Sequence, residues 1–335
     1  MPTAYPKRIL LELANACNLK CQMCAHSHLS FDNSFFPVKL LKKIEPFFLD
    51  AKEVTLFGYG ESLLNPYFKD IFEAISKYPN LKTYLATNGY LLNDKIAESL
   101  VRNKLTYLSV SFDGATPKTY NNIRKGSDYH RVIENLKLID KFKKKYKAQS
   151  PYLRFIFVAM KKNIHEFPML IEIAKKLNFQ EVKLLYLVAH TEEMKEESLF
   201  YHKDIFKKEL AKGKKIAAKL GIKLNIPPVI GEDTTGEELH KKCLLPFNDI
   251  FVSSNGKVRT CMISKNILGD LNKSEISEIW NNKSYNLIRK KVNSNNPPDD
   301  CRNCWQCNHL NVNREDAHIR IGVLLSNSIL NNNAK

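Results

Sequence analysis

The sequence predicts an α/β fold with a parallel sheet, followed by a smaller C-terminal domain. Three observations carry this expectation. Short apolar runs alternate with amphipathic stretches over the first two-thirds of the chain, the alternation stops after Gly221, and the eight cysteines fall into two groups near the two ends.

The strand candidates are Ile9–Leu13, Glu53–Phe57, Leu81–Ala86, Leu105–Phe112, Leu153–Met160 and Val182–Leu187. Short runs rich in apolar residues suit strands covered on both faces. Between them lie the helix candidates Val38–Phe48, Tyr67–Tyr78, Asp94–Arg102, Tyr129–Phe142 and Ile164–Leu177, with Lys203–Leu220 after the last strand. Six β/α units in a row call for parallel strands joined by right-handed crossovers. Whether such a sheet stays open or curls into a barrel, its chemistry collects at the C-terminal ends of the strands.

Beyond Gly221 the pattern breaks. Ile226-Pro227-Pro228 and the polar stretch Gly231–Gly236 read as a linker, which divides the chain into domains 1–225 and 226–335. Phe247–Thr260, with the turn Ser254-Asn255-Gly256, reads as a hairpin, and short helices are expected near Ile276–Asn281 and Tyr285–Val292. The turn-rich Asn293–Asp300 leads into the last three cysteines.

With 335 residues and 44% hydrophobic content, the chain has ample length for a buried core. It lacks an apolar run of membrane-spanning length, and Met1–Arg8 lacks the apolar centre of a secretory signal, so a cytoplasmic location without a membrane partner is expected. The net charge of +17 would attract an anionic partner, but the basic residues are spread along the chain and mixed with acids, as in Lys203–Lys219. Solvated helix faces explain such a pattern better than a nucleic-acid surface does. The acid-free run Lys141–Lys147 is the main exception.

Closely spaced cysteines in a cytoplasmic chain read as metal ligands before disulfides. Cys17, Cys21 and Cys24 follow the first strand candidate, at its C-terminal end. Three thiolates can hold one soft metal centre. A zinc ion would want a fourth ligand, which His26 or His28 could supply. A four-iron cluster held by three cysteines instead leaves one iron free to take a chelating small molecule.

The motif Cys17-Asn-Leu-Lys-Cys21-Gln-Met-Cys24, set on the first strand of a β/α series, resembles the CxxxCxxC signature of the radical S-adenosylmethionine (SAM) superfamily. Met23 stands where that family usually has an aromatic residue and should still shield a cluster. The resemblance implies a partial (β/α)6 barrel and a [4Fe–4S] cluster that binds SAM and cleaves it reductively to a 5′-deoxyadenosyl radical, which takes hydrogen from a substrate. Gly58-Tyr59-Gly60-Glu61 resembles the family's GGE motif, so Gly58, Gly60 and Glu61 are candidates to hold the SAM amino group. Tyr59 stands where the family form has Gly. Thr87 and Asn88 after strand three, and Ser111 and Asp113 at the end of strand four, resemble segments near the SAM ribose and carboxylate. Arg124 is a candidate partner for that carboxylate, or a surface arginine. Asn163 either reaches the cofactor or caps the helix that follows it. Tyr186 and His190 lie where adenine or substrate could pack.

In the second group, the Gly256 hairpin would bring Cys243 and Cys261 together, and Cys301-x2-Cys304-x2-Cys307 supplies a compact second set. A structural zinc ribbon could use the same thiolates. The arrangement resembles the SPASM/twitch extension of radical SAM proteins, which implies a small α+β iron–sulfur domain. Five cysteines are too few for two fully ligated clusters, so one auxiliary [4Fe–4S] cluster is expected on Cys243, Cys261, Cys301 and Cys304, with Cys307 a spare or an alternative to Cys304. Trp305 would pack over that site.

The resemblance implies an oxidoreductase acting on a small molecule such as a sugar or aminocyclitol, with the auxiliary cluster accepting an electron. The alternative is a peptide-modifying maturase, and a more distant one is a non-enzymatic zinc- or nucleic-acid-binding module. An external donor such as flavodoxin or ferredoxin would supply the reducing electron.

Overall fold

The computed structural model describes residues 5–28, 30–232, 242–302, 304 and 318. The chain forms two compact units, each assembled from separated segments. One comprises residues 1–17, 31–85 and 240–307, the other residues 18–30, 86–239 and 308–335.

In the first unit, strand Arg8–Leu11 pairs in parallel with Glu53–Leu56, which pairs in parallel with the start of Lys82–Thr87. On its other side Arg8–Leu11 pairs in parallel with Asp249–Val252, the first arm of the expected hairpin, whose second arm is Lys257–Arg259. This pairing explains why the units cut the chain differently from a single boundary at 225/226: the C-terminal segment extends the sheet begun by the N-terminal strand. The register is fixed by burial, since Ile9, Leu11, Val54, Leu56, Ile250 and Val252 are fully buried. Burying each such side chain contributes about 1.5–3 kcal/mol. Helices Leu41–Phe48 and Phe68–Ile75 bury Ile44, Phe47, Ile71 and Phe72. Trp280 and Tyr285, from the short helices Ile276–Asn281 and Lys283–Lys291, pack with ring centroids 4.7 Å apart, and the Arg289 guanidinium lies 4.2 and 4.3 Å from the two rings.

In the second unit, Tyr107–Ser111, Tyr152–Ala159 and Glu181–Tyr186 run parallel, and Lys223–Asn225 adds a further parallel strand that the sequence reading had assigned to no element. Tyr152–Ala159 alternates half-buried and buried residues along its whole length. The crossover helices are well terminated. Asn93 accepts from the Ile96 N–H at the start of Asp94–Arg102, and Asp128 from the Arg131 N–H at the start of Tyr129–Lys145. Gly221 closes Lys203–Leu220 in the left-handed conformation, which favours glycine. A helix not anticipated from sequence, Pro117–Ile123, opens with proline at its first turn and is capped by Thr116. It leads directly into a two-residue antiparallel ladder that aligns Lys20 with Lys125 and Cys21 with Arg124. No helix among the described residues is long and apolar enough to cross a membrane.

Candidate iron–sulfur and SAM site

In the first unit the strand-two motif is locked to the loop after strand one. A β-carbon on Gly58 would collide with the Glu12 side chain, and one on Gly60 with the carbonyl oxygens of Ala14 and Ala16. Both positions therefore require glycine for close backbone approach. The Glu61 N–H donates to the Ala16 carbonyl at 2.8 Å, and the buried Glu61 carboxylate accepts from the Leu63 N–H at 3.1 Å. Glu12, not among the expected site residues, organises this corner. It accepts from the Tyr59 N–H at 2.8 Å and from the N–H and hydroxyl of Ser254 at 3.2 and 3.1 Å. Burial pushes its carboxyl up, and these bonds pull it back. Its signal was an acid standing in the otherwise apolar run Leu10–Leu13. Tyr59 points the other way, its hydroxyl donating to the Met262 carbonyl at 3.1 Å, one residue beyond Cys261.

The same unit gathers the C-terminal thiols. Burial above all, then the Asp300 carboxylate and the Cys261, Cys304 and Cys243 thiols, pushes the Cys301 thiol up to about 12. Asp300 accepts from the Ser264 hydroxyl at 2.9 Å and the Lys265 N–H at 2.7 Å, tying the Cys301 helix to the loop after Cys261. Asn293 clamps Cys243 by two backbone bonds of 2.8 and 3.0 Å. Cys307 and Trp305 lie outside the described residues.

Cys17 ends the first unit's N-terminal segment, while Cys21 and Cys24 belong to the second unit. The Cys24 N–H donates to the Cys21 carbonyl at 3.2 Å, and the Ser27 hydroxyl to the same oxygen at 2.8 Å, making a tight turn that faces both thiols inward. Burial raises Cys21 to about 11 and raises Cys24 as well. Arg124 leans over Cys21, its Nη1 3.7 Å from the sulfur. The cysteines are unbridged wherever the structure describes them.

Arg124, expected either to reach an anionic cofactor group or to lie on the surface, is not a surface arginine: it is buried and paired with Asp113 at 2.5 Å. The other Asp113 oxygen accepts from the Val158 N–H at 2.7 Å. This buried ion pair stands directly beside Cys21. Asn163 makes no side-chain cap bond. Instead its Oδ1 accepts from the Met160 N–H, and both its N–H groups donate, to the Asp113 and Val158 carbonyls, so it clamps the ends of two strands. Thr87 accepts from the Gly89 N–H, and Asn88 accepts from the Tyr90 N–H and donates to Asn18. Ser111 is half-buried at its strand end. Tyr186 donates to the Pro228 carbonyl, and the buried His190 is held neutral by desolvation, its pKa lowered to about 4. Glu166, also unanticipated, accepts from the Ala115 and Thr116 N–H groups and from the Thr116 and Thr119 hydroxyls.

These residues suit an iron–sulfur centre. Buried thiols are poor thiolates unless a positive centre compensates them, and iron supplies that compensation. The Asn18 Nδ2 and Arg124 Nε are buried without hydrogen-bond partners among the described residues, leaving donors for cluster or cofactor atoms. Beside Cys21 and Met23 the second unit holds a cavity of about 620 Å³. Met23 packs there with Met160, Leu187 and Met194.

A model of the radical SAM superfamily matches residues 11–173, and one of an iron–sulfur cluster-binding domain, SPASM, matches residues 243–305. The chain is 29% identical to the AdoMet-dependent heme synthase of Methanosarcina barkeri, over 84% of this chain and 83% of that protein. It is 24% identical to the PqqA peptide cyclase of Gluconobacter oxydans, over 89% and 82% respectively. Its fold is that of Streptococcus suis SuiB bound to S-adenosylmethionine, with a TM-score of 0.67 at 16% identity, covering 92% of this chain and 72% of that one. The chain belongs to the radical SAM superfamily, among the members that carry a SPASM domain, and its cofactors are a SAM-binding [4Fe–4S] cluster, auxiliary iron–sulfur and S-adenosylmethionine.

Proposed function

We propose that this enzyme is of the oxidoreductase type. A small-molecule substrate seated in the cavity beside Met23 would lose a hydrogen atom, and its radical would then lose a proton to solvent and an electron to one auxiliary [4Fe–4S] cluster that Cys243, Cys261, Cys301 and Cys304 would hold. When bound, SAM and its cluster supply a primary carbon radical strong enough to break an unactivated C–H bond. The chain's own residues do the rest. Cys17, Cys21 and Cys24 hold three corners of the cluster, and Arg124 and Asp113 fix the Cys21 side of it. Gly58, Gly60 and Glu61 receive the SAM amino group, and Thr87, Asn88 and Ser111 border the remainder of the cofactor. Met23, Met160, Leu187 and Met194 keep water from the radical.

The observation that carries the small-molecule reading is the cavity itself. Its volume of about 620 Å³ lies within the ordinary range for small-molecule sites, and its wall includes the cluster loop. A second reading, peptide modification, draws support from the 24% identity to a peptide cyclase along 89% of the chain. A cytoplasmic flavodoxin or ferredoxin is the proposed electron donor.

The test is anaerobic reconstitution with iron and sulfide. About eight irons per chain, two four-iron clusters, fits the proposal. About four would remove the auxiliary cluster and the oxidoreductase mechanism with it.

A further inference from the structure

The cavity beside the cluster loop carries more information than its volume. Its cationic edge is built on the two-residue ladder, where Lys20 stands directly opposite Lys125. Directly opposed residues on an antiparallel ladder share a face, with β-carbons about 4.5–5.5 Å apart, and like charges in that position repel. Both lysines are exposed and neither has an acidic partner among the described residues. Of the other charges on the wall, Lys162 pairs with Glu197 at 3.2 Å and donates to the Gln22 amide oxygen at 3.0 Å. Glu193 bonds the neutral Thr191 hydroxyl and keeps its charge, one carboxylate against the two lysines. Two unpaired cations therefore face one another at the mouth of a cavity whose inner wall is the thioether and aliphatic surface of Met23, Met160, Leu187 and Met194.

We infer that Lys20 and Lys125 form the anion-recognition end of the substrate site, and that the substrate is an amphipathic small molecule. Its carboxylate or phosphate group is held between the two ammonium groups, and its apolar body lies along Met23, Met160, Leu187 and Met194. The inference rests on the reading above that this cavity receives the substrate. The juxtaposition explains why a local repulsion is retained next to Cys21: an anion bridging the two lysines converts it into attraction, with charge-assisted hydrogen bonds from both sides. The methionines adapt to an apolar body of irregular shape. Binding the anionic end at the ladder that carries Cys21 fixes the reactive carbon at a set distance from the cluster loop.

The experiment is anaerobic calorimetry on the reconstituted full-length enzyme with three probes sharing one tail: hexyl phosphate, hexanoate and hexan-1-ol. At least one anion should bind ten or more times tighter than the alcohol. That advantage should shrink when salt rises from about 0.1 M to 1 M, while alcohol binding holds. The preferred anion tells a phosphate monoester from a carboxylate. The Lys20→Gln/Lys125→Gln double variant, checked by iron content for an intact cluster, should lose the roughly tenfold or greater advantage of the anion and nothing for the alcohol. Equal affinity for anions and alcohol, or anion binding untouched by salt, overturns the inference even if the double variant fails to fold. SAM cleavage is assayed on the same wild-type preparation. Cleavage without anion preference sinks this inference alone, whereas anion preference without cleavage supports the pocket and sinks the radical reading.

Discussion

The buried pair Asp113–Arg124 offers the sharpest energetic prediction. Their side chains are 0% and 7% exposed, and they meet at 2.5 Å beside Cys21. Changing Asp113 to Asn keeps the shape and the bond from the Val158 N–H, but leaves the Arg124 guanidinium charged in a buried site without its counterion. Stranding one member of such a pair costs about 3–5 kcal/mol. Arg124→Met strands a carboxyl instead. Burial already favours the protonated form of Asp113, so protonation relieves part of the strain and the loss should fall toward the lower end of that range. In the double variant Asp113→Asn/Arg124→Met no charge is stranded, so its loss should be smaller than the sum of the two single losses by about 2 kcal/mol or more. Urea unfolding of the metal-free, reduced protein, followed by far-UV circular dichroism, measures all three. Single variants within about 1 kcal/mol of wild type, or a double variant equal to the sum, would refute the reasoning that this pair holds the Cys21 loop through charge.

Other outcomes follow from the same structure. Gly60→Ala forces a methyl into the Ala14 and Ala16 carbonyls and should cost about 1–3 kcal/mol in stability and weaken SAM binding, read by urea melts and equilibrium dialysis. His190 has a folded pKa near 4 against an ordinary value of 6.5, so above pH 6.5 it is neutral in both states and contributes no pH dependence. As pH falls from 6.5 to 4 the unfolded chain takes the proton and the folded one does not, so stability drops by up to about 3 kcal/mol. Melting temperature should therefore fall more steeply over that window in wild type than in His190→Leu, and equal slopes would contradict the assignment. Cys301→Ala should lower iron from about eight to about four per chain and stop net turnover, while 5′-deoxyadenosine still forms.

Much of the fold was legible because it is written in local periodicity. The six strands and six crossover helices lie within a few residues of their expected places, since runs such as Tyr152–Ala159 and the capped helix Asp94–Arg102 announce themselves in sequence. Lys223–Asn225 was missed because three residues, of which only Leu224 is apolar, carry no period. The parallel pairing of Asp249–Val252 with Arg8–Leu11 was invisible for a different reason: a contact between segments some 240 residues apart leaves no local mark. At the site, the cysteine spacings and glycine positions were legible because the chemistry demands those residues. The partners of Asp113, Arg124, Asn163 and Glu12 were not, because a polar side chain in a strand-end loop can serve a cofactor or the backbone equally well. Only the folded chain shows that Asn163 spends its amide on Asp113 and Val158.

The account turns on an iron left open by three cysteines. After anaerobic reconstitution, SAM and dithionite are added and 5′-deoxyadenosine is quantified by chromatography for wild type and for Cys17→Ala, Cys21→Ala and Cys24→Ala. The account predicts the nucleoside from wild type and none from any of the three variants. Iron-replete wild type that forms no nucleoside, or a variant that forms it at the wild-type rate, would contradict it.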